Sequence, residues 1–162
     1  MIPEQHRRKA AAAAIAVALA VPAEGLRRVA YYDPPGILTV CRGHTGPDVV
    51  KGRTYSLAEC DRFMDDDMRA AVSAVDRCQP GLPVPVLAAF SDAAFNIGPK
   101  VACDTSASTA ARLLRARDFD GACRQLLRWD KATVAGQLVS LPGLSKRRAA
   151  EMDVCLTWKD AP

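Results

Sequence analysis

The run AAAAAIAVALAV, from Ala10 to Val21, constrains this chain more than any other stretch. Alanine has the highest helix propensity of any residue and loses no side-chain entropy on folding, so the run is helical in water or in lipid. Arg7-Arg8-Lys9 precedes it and Val21-Pro22-Ala23 follows, the charge pattern of a secretory signal ending in a small-residue cleavage site. As a membrane span it is marginal. The apolar stretch of about 14 residues makes roughly 21 Å of helix, against a hydrocarbon core about 30 Å thick. Three readings are open: a cleaved signal, a weak uncleaved anchor, or an ordinary soluble first helix. Each has a different consequence for Glu24, which follows Ala23 directly.

A chain of 162 residues is expected to form one main domain with a substantial core. Its net charge of +4 is carried mainly by scattered arginines, with no basic run or helix-turn-helix signature, so nucleic acid is not expected as a partner. Asp65-Asp66-Asp67 reads as a solvated helix face, because three consecutive acids on a helix point in different directions. Six cysteines at 41, 60, 78, 103, 123 and 155 form no C-x-x-C pair, and only His6 and His44 are available beside them. A structural zinc site is therefore not expected, and neither a metal nor a cofactor is called for. Widely spaced cysteines in even number imply disulfides and an oxidising compartment.

Past the first helix the pattern is strand-like and then helical. Asp33-Pro34-Pro35-Gly36 is a turn leading to the β-prone run Ile37–Cys41, and Arg53-Thr54-Tyr55 is a second candidate strand, giving a small antiparallel sheet within residues 30–56. Ser56-Leu57-Ala58-Glu59 is a capping box that opens a helix ended by Cys78-Gln79-Pro80-Gly81. Pro85 to Ile97 reads as a helix apolar all round, hence central and buried. Ser106 or Ser108 caps a third helix through Leu113 and Leu114. Asp118 caps a fourth that carries Cys123, Leu126, Leu127 and Trp129. A loop rich in Gly, Val and Ser then leads to a last helix from about Ser145 to Leu156. The fold class is α+β and mainly helical, with a small antiparallel sheet lobe on a helical body.

Glu24, Asp33 and Thr39 stand in the spacing E-x8-D-x5-T. Glu24, at the end of an apolar helix, is expected to be buried and held protonated, while Asp33 in a polar turn stays ionised. Two carboxylates in contrasting surroundings suit glycoside hydrolysis: one donates a proton to the leaving oxygen and the other supports attack from the opposite face. Thr39 on the adjoining strand is placed to orient a water beside Asp33. Tyr31, His44 and Asn96 are candidate substrate-binding residues, with core packing, lobe-stabilising hydrogen bonds and a helix C-cap as their respective alternatives. Arg147 or Arg148 is expected to pair with Glu24, in competition with a surface ion pair to Glu151.

The chain resembles the phage-type lysozymes, glycoside hydrolase family twenty-four. The matching residues are Glu24-Gly25-Leu26-Arg27, Ala30-Tyr31, Asp33, Gly36, Leu38-Thr39-Val40 and Gly43-His44-Thr45-Gly46. Further along they are Phe90-Ser91, Phe95-Asn96-Ile97-Gly98, Leu127-Arg128-Trp129, Leu141-Pro142-Gly143-Leu144, Arg147-Arg148 and Glu151. The resemblance implies a lysozyme-like fold and a muramidase that cleaves the β-1,4 bond between N-acetylmuramic acid and N-acetylglucosamine in peptidoglycan. It implies Glu24 as general acid, with Asp33 and Thr39 acting on the nucleophilic water. The alternatives are a wall-binding module with a silent site and a lytic transglycosylase.

Some such enzymes carry a signal-anchor-release segment, and residues 1–23 resemble one, leaving residues 24–162 as the catalytic domain. On that reading residues 10–21 engage the inner membrane transiently and the segment stays uncleaved. The enzyme then becomes an exported, periplasmic monomer acting on peptidoglycan glycan strands of a Gram-negative host. Six cysteines in that compartment allow fifteen pairings. Sequential pairing, Cys41–Cys60, Cys78–Cys103 and Cys123–Cys155, is the expectation.

Overall fold

The computed structural model describes residues 3–34 and 36–160. Helix α1 (Glu4–Ala20) opens on Pro3 with an acid in its first turn, where it meets the positive end of the helix dipole. Its buried residues are Ala12, Ala13, Ala16 and Ala20, one stripe of small side chains that packs mainly on α3 (Val84–Ile97) and then on α2 (Leu57–Cys78). Small residues on that stripe let the helices meet with little loss of rotamer freedom. The basic residues ahead of the run are also used. Arg8 and Lys9 both pair with Asp76 of α2, Lys9 at 3.0 Å, and Arg8 donates to the Leu82 carbonyl at 2.9 Å. Pro22 ends the helix, yet the Ala23 and Glu24 amides still donate to the Ala20 carbonyl at 2.9 and 3.0 Å. Glu24 is thereby fixed to the last turn of α1.

The sheet lobe is a three-stranded antiparallel sheet in the order β1 (Arg27–Tyr32), β2 (Leu38–Cys41), β3 (His44–Thr45). Tyr31 stands opposite Thr39 and Tyr32 opposite Leu38, while an irregularity interrupts the register between Arg27 and Tyr31. Of the turn that joins β1 to β2, Pro35 lies outside the described residues. Strand β1 replaces the expected strand at Arg53–Tyr55, where only Thr54 makes an isolated bridge to Val29. Tyr55 instead plugs the lobe. Its wholly buried ring lies among Val40, Cys41, Val49 and Cys60, and its hydroxyl donates to the Asp48 carbonyl at 3.0 Å and accepts from the Val50 amide at 2.7 Å.

The body follows the predicted helices closely. Ser56 and Glu59 form the capping box of α2, whose buried Cys60, Met64, Met68, Val72 and Val75 recur every three or four residues. Helix α3 begins at Val84, one residue early, and is buried continuously from Pro85 to Ala94. A short α4 (Lys100–Cys103) follows. Ser108, not Ser106, caps α5 (Thr109–Arg115) by accepting from the Ala111 amide at 3.1 Å. Asp118 caps α6 (Phe119–Gln125), and Leu126–Trp129 continue as a separate 3-10 turn instead of prolonging that helix. The Gly, Val and Ser-rich segment is not a plain loop. It forms a hairpin of β4 (Lys131–Val134) and β5 (Gln137–Ser140), turned by Ala135 and Gly136 at φ of 49° and 79°. Pro142 starts α7 (Pro142–Leu156) three residues before the expected start, and a 3-10 turn at Thr157–Asp160 completes the described fold.

All six cysteines pair in the expected order. Cys41–Cys60 ties β2 to α2, Cys78–Cys103 brackets α3, and Cys123–Cys155 joins α6 to α7. The result is an α+β fold, mainly helical, in which α1 shares one core with α2, α3 and α7.

Candidate active site

Glu24 reaches a cavity of about 640 Å³ between the C-terminal end of α1 and the start of α7. Leu19, Pro22, Leu141 and Leu144 form apolar walls, and Glu24, Asn96 and Arg147 supply the polar ones. The Glu24 side chain is 23% exposed, so it is only partly buried, and its strongest contact is a cation. Arg147 Nη1 donates to Glu24 Oε1 at 2.5 Å across 123 residues of sequence. The open choice between Arg147 and Arg148 thus falls to Arg147.

Behind that contact lies a buried cluster of charged groups. Arg147 Nε and Nη2 donate to Asp92 of α3 at 3.1 and 2.6 Å. Arg148, wholly buried, donates through Nη2 to Glu151 at 2.5 Å and to Asn96 Oδ1 at 3.1 Å. Glu151 is also wholly buried, so its pair with Arg148 is part of the core and not the surface pair weighed as the competitor. Burial drives the Arg147 guanidinium down, but the Asp92 and Glu24 carboxylates outweigh it and hold the group above the ordinary arginine range. Burial pushes Glu151 up to about 9, helped by its hydrogen bond to Asp92 and against the pull of Arg148. Arg148 is held below the ordinary range, chiefly by burial.

Asp33 and Thr39 are set by a different device. The Asp33 amide donates to the Ile37 carbonyl at 2.9 Å, and its Oδ1 accepts from the Ile37 amide at 2.7 Å. The turn between β1 and β2 therefore positions the carboxylate with its own backbone. Thr39 is buried, donates to the Ile37 carbonyl at 3.0 Å and stands 3.5 Å from Asp33 Oδ2. That separation is at the limit of a direct hydrogen bond.

The three candidate substrate-binding residues sit apart. Asn96, near the end of α3, lines the cavity with Glu24. Tyr31 is half-buried, with the Arg27 guanidinium 4.4 Å from the centre of its ring. The His44 ring stacks on Phe63 at 4.0 Å, with Nδ1 2.8 Å from Asp67 and Nε2 3.1 Å from Asp48. Sequence reasoning missed Asp92. Its one signal is that it is the only charged residue in Val84–Ile97, the most apolar helix of the chain.

The phage lysozyme family profile matches residues 22–151. A SAR-endolysin of bacteriophage PS119 is 37% identical over 137 residues, covering 84% of this chain and 78% of that protein. Among solved structures, the muramidase domain of SpmX from Asticaccaulis excentricus superposes with a TM-score of 0.78 at 27% identity, over 88% of this chain and 95% of that one. An endolysin from Escherichia coli O157:H7 phage FAHEc1 gives 0.74 at 26%, over 88% and 90%. Its sequence, its fold and its relatives agree: the chain belongs to the phage lysozyme family.

Proposed function

We propose that the chain acts as a phage endolysin, a muramidase that hydrolyses the β-1,4 bond between N-acetylmuramic acid and N-acetylglucosamine, with Glu24, Asp33 and Thr39 carrying the reaction. The observation that carries this is the Glu24 carboxyl group, held at the wall of the cavity by Arg147. Glu24 gives its proton to the glycosidic oxygen as the bond to the departing sugar breaks. The carboxylate left behind is met at once by the Arg147 guanidinium, so the charge created in the step is stabilised. Asp33 Oδ2 takes a proton from the attacking water while Thr39 holds that water in place, and attack comes from the face opposite the acid. Asn96 and Tyr31 line the path of the glycan strand.

The expected result is release of muropeptides with reducing N-acetylmuramic acid ends from isolated Gram-negative peptidoglycan. Glu24→Gln lowers that rate by about 10²–10⁴-fold, the usual share of a general acid. Anhydro-muramic products from the wild type would instead mean a lytic transglycosylase and remove the role of Asp33.

The enzyme is first tethered to the inner membrane through residues 10–21 and is then released into the periplasm as a monomer. Among the described residues no helix is long and apolar enough to cross a membrane, so this reading requires weak, reversible insertion. Leucine at Ala11 and Ala14, both exposed in the docked helix, raises hydropathy without entering the core. It shifts the protein toward the membrane fraction; unchanged fractionation would overturn the tether.

A further inference from the structure

Arg147 has one guanidinium and two carboxylates at hydrogen-bonding distance. Nε and Nη2 form a fork on Asp92 at 3.1 and 2.6 Å, which leaves Nη1 for Glu24 at 2.5 Å. A two-pronged grip fixes the plane of a guanidinium, whereas a single bond does not. Asp92 is wholly buried in the middle of α3. A charge there is costly unless paired, and the apolar packing around it gives it no other purpose.

The neighbours leave Asp92 free for Arg147. Arg148 is occupied by Glu151 and Asn96. Glu151 is held by Arg148 at 2.5 Å and takes neither prong of the fork. The fork joins α3 to α7, two helices packed on each other, and no residue of α1 takes part in it. Glu24, carried by the end of α1, is the last group to join.

We propose that Asp92 is a positioning residue: by gripping Arg147 through Nε and Nη2 it aims Nη1 at Glu24 and so sets where the acid stands. This rests on Glu24 being the general acid. The Asp92–Arg147 pair is then a socket that exists in the body before α1 docks, and docking of the helix is read out at the acid itself.

The test uses the full-length enzyme on isolated peptidoglycan. Asp92→Asn keeps the shape and removes one acceptor of the fork. It lowers kcat by about 100-fold, the cost of a small misplacement of a reacting group. KM stays within about threefold, the pattern of an interaction that matters only in the transition state. Met68→Ala, a core change outside the cluster, is the control, because it lowers Tm and spares kcat. Asp92→Asn behaving like that control would overturn the proposal.

Should Asp92→Asn alone fail to fold, Arg147→Lys carries the test, since it keeps every charge of the cluster but cannot fork. It lowers kcat to a similar extent and leaves KM within about threefold. Full activity of Arg147→Lys, or a loss confined to KM, would overturn the fork. Glu24→Gln on the same substrate separates the two readings: if that variant stays active, the acid assignment itself has failed.

Discussion

The helical body and the sheet lobe hold their shares of the site in opposite ways. Glu24 is placed by Arg147, 123 residues away, which is itself placed by Asp92 of a third helix. Asp33 is placed by the Ile37 amide, four residues on, inside one turn. Glu24 therefore reports on whether the whole body is assembled, while Asp33 and Thr39 depend on a few local hydrogen bonds. The cores differ likewise. That of the body is large and lined with alanine where α1 docks; that of the lobe is a handful of residues around Tyr55 and a disulfide.

Removing that disulfide should break the comparison most. Cys41→Ser with Cys60→Ser costs about 2–4 kcal/mol. Hydrogen exchange is expected to rise across residues 27–56 and stay low in α3 and α7. Uniform loosening of both regions would mean that the lobe has no separate stability. Next comes Ala16→Leu in the wholly buried stripe of α1. Overpacking there costs about 1–3 kcal/mol, and activity falls while protection of the lobe is unchanged. Ser56→Ala, removing the cap of α2, costs about 1 kcal/mol and lowers Tm without changing kcat.

The smallest effect is that of pH on the lobe. Burial lowers His44, but its hydrogen bonds to Asp67 and Asp48 outweigh this and raise it above the ordinary value. Asp67 is raised too, by burial, against the pull of His44. Both groups bind protons more tightly folded than unfolded. The stability they contribute is present at low pH and is lost as pH rises through their folded values. Two carboxylates on the two ring nitrogens call for the doubly protonated ring, since a neutral imidazole donates from one nitrogen only. His44→Gln should flatten the dependence of Tm on pH above about 6.5, by less than about 1 kcal/mol because its partners Asp67 and Asp48 are part-exposed. A Tm that still falls over that range in His44→Gln would assign the dependence to another group.

Regions dominated by local rules were the ones legible in the sequence. Capping residues, apolar spacing and the alanine run located α1, α2, α3, α5 and α6, and the cysteines located three bridges. Strand β1 escaped because it opens with Arg27-Arg28 and gains its strand character only by pairing with β2. The β4–β5 hairpin escaped because Ala135-Gly136 occupies a turn that Asn-Gly usually announces, with alanine forced to positive φ. At the site, Glu24, Asp33 and Thr39 were singled out by the phage-lysozyme motifs around them, because their spacing alone recurs by chance. The choice of Arg147 over Arg148, and the part played by Asp92, are set by how α3 and α7 face each other. No local pattern encodes that.

The disulfides have one more consequence. They link residues from Cys41 to Cys155, and none involves α1. The covalent framework can therefore close around an empty groove on α3. Helix α1 then behaves as a ligand delivered by its own tether, and the short link from Val21 to Leu26 sets its effective concentration. Occupancy of that groove, and with it the fraction of molecules in which Glu24 meets Arg147, becomes a binding isotherm.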